Sequence, residues 1–218
     1  MKDMLKIRIT SITFENAMLK ATNIIKKGGI VVVPTDTSYG LAANAMDEKA
    51  VEKVFHVKKR DRRKTISIFV DSIGSIEKFF TLDDTAYKLI SLLPERLTLI
   101  LKAKTPEIFP KGIINERGGV GIRLPPSIYP VKLVKLSGTF LTATSANLSG
   151  RPPIYNPRFI EEELHEVDLV LDAGVLKKVP TSTVIDLTVS PPVVIREGAI
   201  PLKFLEKNTG LSFRYYRV

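Results

Sequence analysis

Apolar positions recur along this chain in two rhythms. Ala17, Met18, Ala21, Ile24 and Ile25 fall at helical spacing, with Thr13 ahead of them as a capping residue and Gly28-Gly29 behind as a stop. Ile30-Val31-Val32-Val33 then reads as a strand buried on both faces, ending at Pro34. A second helix is predicted from Asp47 to Lys58, with Ala50, Val51, Val54 and Phe55 inward. Strands are predicted at Ile66–Val70, Leu97–Leu101, Val120–Arg123, Thr139–Ala143, Asp168–Leu171, Thr183–Leu187 and Val193–Arg196. Helices should open at Asp83 or Asp84, at Ser127 with Pro130 in the first turn, and at Asn156-Pro157. A loop rich in Pro and Gly fills Thr105–Gly119. Alternating strands and helices make the fold α/β, and the short link between the last two strands calls for a mixed sheet. No repeat or low-complexity linker appears, so residues 1–218 read as one domain with a core over about 13–206.

Composition narrows the function classes. The 44% of hydrophobic residues in 218 suits an ordinary globular protein, and no apolar run is long enough to span a bilayer. With no signal-peptide core after Met1, the expected location is cytoplasmic and away from membranes. The absence of cysteine excludes disulfides, thiolate metal sites and cysteine nucleophiles. A net charge of +10 points to an anionic partner, nucleic acid or nucleotide phosphate. Six of the seven residues from Lys58 to Lys64 are cationic. Such a run at a helix end can simply complement the dipole in solvent, or its Lys58 and Arg60 can clamp phosphates.

Three further segments carry candidate chemistry, each beyond a predicted strand, where ligands of open α/β sheets collect. Pro34-Thr35-Asp36-Thr37-Ser38-Tyr39-Gly40 brings hydroxyls, a carboxylate and a turn glycine, or is merely a polar turn. Thr142 to Gly150 is built of small residues that let a ligand approach the backbone, and Ser145 and Asn147, two apart, can face one side. Arg123, Ser182-Thr183 and Arg196 sit at other strand ends. No Walker A loop, Gly-x-Gly-x-x-Gly or His-rich constellation is present, and the isolated His56 and His165, on predicted helices, read as structural or surface residues.

Together these segments resemble the YrdC family of threonylcarbamoyl-AMP synthases, in order from about Gly28 to Gly198. The resemblance rests on Gly29 to Leu41, Lys58-x-Arg60, Val120-Gly121-Ile122-Arg123-Leu124-Pro125, Ser145-x-Asn147 running on to Gly150-Arg151-Pro152, and Ser182-Thr183-Val184-Ile185-Asp186. It implies a twisted, open mixed sheet flanked by helices with a concave, positively charged face. It implies that threonine is carbamoylated by bicarbonate or CO2 and adenylylated by ATP, with Mg2+ assisting and pyrophosphate released. The product would pass to a transferase that makes N6-threonylcarbamoyladenosine in tRNA reading ANN codons. Thr37, Arg123, Ala143 and Ser182 match threonine-side positions; Lys58, Arg60, Lys64, Ser145, Asn147 and Arg196 match nucleotide positions. Lys58, Arg60, Ser145 and Asn147 are the catalytic candidates, and the metal ligands are left open.

This chain departs from the family pattern at Asp61, where Pro is usual, at Phe69, where some members have a polar residue, and at Glu95-Arg96, where Pro-Gly-Pro is normal. Adenylylation needs positioning and charge neutralisation more than a protein nucleophile, which suits these residue types. The rival reading is a module that binds double-stranded RNA or tRNA without synthase activity. Few aromatics (7%) and pocket-like hydroxyl-rich loops weigh against it.

Overall fold

The computed structural model describes residues 4–215. Its strands are β1 (Leu5–Arg8), β2 (Val31–Pro34), β3 (Tyr39–Ala42), β4 (Ser67–Phe69), β5 (Leu97–Lys102), β6 (Gly119–Arg123), β7 (Leu141–Ser145), β8 (Leu169–Asp172), β9 (Thr183–Asp186), β10 (Val193–Arg196) and β11 (Arg214–Tyr215). All join one open, twisted sheet in the order β1-β8-β2-β3-β7-β4-β6-β5-β9-β10-β11. Pairing is mixed as expected: β9 and β10 run antiparallel, whereas β5–β9, β4–β6 and β2–β8 are parallel.

Alternation of side chains across each strand divides the core into two layers. Val31 and Val33 pack with Ala17, Met18, Ala21 and Ile25 of helix α1 (Phe14–Lys26) and with Leu133 and Val134 of α5 (Ile128–Ser137). Val32, Ile68, Leu99, Ile122 and Ile185 face the opposite layer. That layer holds α2 (Glu48–Lys58), α3 (Ile73–Phe79), α4 (Asp84–Ile90) and α7 (Leu202–Thr209) through Val54, Ile76, Leu89 and Leu205.

Several boundaries shift. Thr13 does not cap α1: its hydroxyl donates to Arg8 O at 2.7 Å and its backbone is already helical. Ser127 precedes α5 without a side-chain cap. Asp47 and Asp83 do cap α2 and α4, accepting from the amides of Ala50 and Ala86 among others. Gly28, at φ 73°, ends α1 in the left-handed region that favours glycine. Asn156-Pro157 opens a 3-10 turn (Pro157–Phe159) followed by the one-turn α6 (Ile160–Glu163). His56 lies on α2 beside Glu166 at 3.4 Å, while His165 follows α6; both are exposed.

Candidate active site

A cavity of about 340 Å³ opens against the sheet from β3 across to β10. Its floor is the other half of the strand alternation. Ser67 and Phe69 flank core residue Ile68, Thr98 and Ile100 flank Leu99, and Ser182 and Val184 lie either side of the fully buried Thr183. Ala143 and Ser145 follow along β7, and Thr35, Thr37 and Ser38 close one side from the β2–β3 turn. Alternation thus brings hydroxyls (Ser67, Thr98, Ser182) and apolar groups (Phe69, Ile100, Val184) to the cavity side of the same strands.

Three arginines reach this cavity. Arg123, at the end of β6, is 8% exposed; its Nη2 donates to both Asp36 carboxylate oxygens at 2.7 Å and its Nη1 to Thr37 Oγ1 at 3.3 Å. The guanidinium lies 5.8 Å from the Phe69 ring centre, so the aromatic departure at this position supports the cation. Nε of Arg123 is buried without a partner. Arg196 sits at the rim and donates from Nε and Nη2 to Ser182 O at 3.1 and 2.9 Å, and from Nη2 to Ser182 Oγ at 3.2 Å. Ser182 Oγ also meets Thr98 Oγ1 at 2.9 Å. Arg60 arches over its own loop, donating to Lys64 O at 3.0 Å and Thr65 O at 2.8 Å. Burial pushes all three guanidiniums below their usual pKa, with Asp36 opposing the shift at Arg123. Arginine is basic enough to stay charged regardless.

Of the ten sequence-derived candidates, Thr37, Arg60, Arg123, Ala143, Ser145, Ser182 and Arg196 meet on this one cavity. Lys58, Lys64 and Asn147 are placed elsewhere. Lys64 is exposed. Lys58 is 2% exposed, and its amine donates to the carbonyls of Ser145 and Asn147. Asn147 does not share a face with Ser145: it is buried just past β7, where its Nδ2 holds Leu148 O and Arg151 O and its Oδ1 has no partner. The segment stops being a strand at Ser145, so two-residue alternation no longer applies.

Asp36, Arg96 and Thr98 complete the site without having been assigned roles. Asp36 organises Arg123, and Arg96 Nε meets Asp36 O at 3.3 Å and Oδ2 at 3.7 Å. Thr98 was detectable as the polar member of Leu97-Thr98-Leu99-Ile100-Leu101; Arg96 carried no signal beyond its departure from the family turn. Asp61, the other acidic departure, turns outward to Arg63 at 2.8 Å, and that pairing lowers its carboxyl pKa to about 2. Gly198 lets the chain pass tightly against Thr181 and Ser182, where any Cβ would collide with both backbones.

Comparison with known proteins converges on one family. A family profile described as Telomere recombination (Sua5/YciO/YrdC) matches residues 23–198. A relative in Methanocaldococcus jannaschii named "Putative threonylcarbamoyl-AMP synthase" is 40% identical over 201 residues, covering 88% of this chain and 93% of its own. The threonylcarbamoyl-AMP synthase of Pyrococcus abyssi is 35% identical over 193 residues, covering 87% of this chain and 56% of its own. The crystal structure of P. abyssi Sua5 complexed with L-threonine superposes with a TM-score of 0.88 at 32% identity, covering 99% of this chain and 63% of that one. The present chain thus spans less than two thirds of the Pyrococcus protein. Escherichia coli YciO superposes with a TM-score of 0.82 at 26% identity, covering 94% of this chain and 100% of its own. By sequence and by fold, the chain belongs to the Sua5/YciO/YrdC family.

Proposed function

We propose that this protein is an L-threonylcarbamoyladenylate synthase, a nucleotidyltransferase that converts L-threonine, bicarbonate or CO2 and ATP into threonylcarbamoyl-AMP and pyrophosphate. The observation that carries the reading is the single cavity in which hydroxyls and cations converge from seven matched positions. Thr37, Arg123, Ala143 and Ser182 take the threonine side, and Arg60, Ser145 and Arg196 take the nucleotide. The threonine nitrogen bonds to the carbon of CO2, losing a proton and leaving a carbamate. A carbamate oxygen then attacks the α-phosphorus, forming one P–O bond as the bond to pyrophosphate breaks. The arginines offset the charge that gathers on these groups, and their held geometry lowers the reorganisation needed. No protein nucleophile is required.

Mg2+ belongs to the proposal as a companion of the triphosphate. Among the described residues no group of three or more His, Asp or Glu is placed to hold a metal, which fits a cation bound chiefly through phosphates and water. It would supply charge neutralisation of ATP. The proposal also includes a cytoplasmic setting and hand-over of the adenylate to a transferase acting on tRNA. No helix among the described residues is long and apolar enough to cross a membrane. The named relatives support synthesis over RNA binding without synthase activity. The test is pyrophosphate release from ATP by the purified chain, with and without threonine and bicarbonate. Release that needs both is expected; release indifferent to threonine overturns the assignment.

A further inference from the structure

Of the six cations between Lys58 and Lys64, Lys58 is the one the fold buries, at 2% exposure, and it does not line the substrate cavity. Its Nζ donates to Ser145 O and, at 2.7 Å, to Asn147 O, while its own carbonyl accepts from Ser149 N at 2.8 Å. Three hydrogen bonds therefore tie the end of α2 to the turn that follows β7. Arg60 goes the other way because Lys59, between them, takes a left-handed φ of 47°. The chain reverses there, and Arg60 N returns to Phe55 O at 3.0 Å. Lys58 is thereby sent inward beneath the turn and Arg60 outward to the cavity.

Beyond these, Ala146 N reaches Tyr39 O at 2.7 Å and Leu148 N donates to Glu163 Oε1 at 2.6 Å, while the bonds of the Asn147 side chain stay within the segment, to Leu148 and Arg151. Without the Lys58 amine, Asn147 O loses its donor in a buried setting, a condition backbone groups rarely tolerate, and Ser145 O keeps the Asn147 amide at 3.0 Å. The turn would then move toward water, taking Ser145 from the cavity wall.

We infer that Lys58 is a positioning residue that fixes the Ser145–Asn147 turn through its two carbonyl contacts and is not itself a ligand of the triphosphate. The inference deepens the synthase reading, and its activity arm rests on that reading. What the turn needs is hydrogen-bond donors in a confined slot. Burial first, then the nearby charge of Arg60, lowers the pKa of the amine to about 7, and the neutral amine still carries two hydrogens for the two carbonyls.

The experiment follows amide exchange across residues 141–151 in ligand-free protein by mass spectrometry, alongside pyrophosphate release, for wild type, Lys58→Met, Lys58→Gln and Lys58→Arg. Lys58→Met should speed exchange at Ala146, Asn147 and Ser149 before any nucleotide is added. It should also lower turnover on the order of a hundredfold, as displaced reacting groups do. Lys58→Gln, a neutral donor, should restore part of both. Lys58→Arg keeps the charge but overfills the slot and should not. Unchanged exchange in Lys58→Met with a raised KM for ATP overturns the inference, as does rescue by Arg and not by Gln. If Lys58→Met fails to fold, the order of the Gln and Arg variants decides. A wild type without threonine-dependent release overturns the synthase reading instead, and the exchange arm still judges Lys58.

Discussion

Replacing Asp36 by Asn removes the charge that holds Arg123. The pair is well buried, with side-chain exposures of 4% for Asp36 and 9% for Arg123, and both carboxylate oxygens lie 2.7 Å from Nη2. Arginine cannot escape by deprotonation, so the variant keeps a buried cation supported only by Thr37 Oγ1, the Phe69 face and a weaker amide oxygen. Removing one partner of a buried pair costs about 3–5 kcal/mol. Asn retains an acceptor and the cavity admits water, which places the loss near the lower end, about 3 kcal/mol. For a chain of this size that is a fall of about 6–12 °C in Tm. The freed guanidinium should meanwhile become a better seat for an anionic ligand, so threonine should recover more of the lost Tm than it adds to wild type. Thermal melts with and without threonine measure both effects. A cycle with Arg123→Met isolates the pair, since contacting residues are non-additive. An unchanged Tm, or strict additivity in the cycle, refutes the reasoning; so does a variant that is stable but no longer binds threonine.

Two further outcomes are expected. Thr37, Thr98 and Ser182 gather hydroxyls on one side of the cavity, so valine should support far less pyrophosphate release than threonine, because the unmatched polar groups penalise it; equal rates with the two amino acids would place the hydroxyl outside this cluster. Lys58 also makes stability depend on pH. Unfolded, the amine keeps its proton up to about 10.5, while folded it releases it near 7, so the unfolded state binds more protons between these values. Stability contributed by this group should rise with pH across that window, by at most a few kcal/mol, and level off below about 7. Comparing urea unfolding of wild type and Lys58→Met from pH 7 to 10 isolates it; parallel profiles would show that the amine titrates normally.

Much of the layout could be read from periodicity, because α1, α2 and the central strands obey one spacing over enough residues. Elements with mixed patterns escaped. β1 and β11 lie at the sheet edges, where little apolar surface is needed, and their residues are largely exposed. The polar-turn reading of Pro34–Gly40 includes Tyr39 and Gly40 and gives Leu41 and Ala42 no element, yet Tyr39–Ala42 is a fully buried strand antiparallel to β2. Its alternation is hidden by Gly40 and by Tyr39, which satisfies its phenol on Gly174 O at 2.8 Å and Ala173 N at 3.0 Å. Within the site, residue types at strand and helix ends pointed to Thr37, Arg60, Arg123, Ser145, Ser182 and Arg196, and the family resemblance added Ala143. The direction of Lys58 was not legible. A lysine at a helix end normally faces solvent, and only the left-handed turn at Lys59 and the carbonyls beyond β7 draw it inward.

The cavity wall is gathered from positions as far apart in the chain as Thr35 and Arg196, and its last members arrive with β9 and β10. A nascent chain that has emerged only through β7 would carry Thr37, Arg123 and Ser145 yet lack Ser182 and Arg196. Closing the far side requires β9 to pair in parallel with β5, an element synthesised much earlier, and such distant pairings form late. Ligand therefore cannot template early folding; it meets the protein only once synthesis has passed β10. Retention on an immobilised threonine or ATP resin would then work as quality control, holding back completed molecules and passing those released too soon by the ribosome.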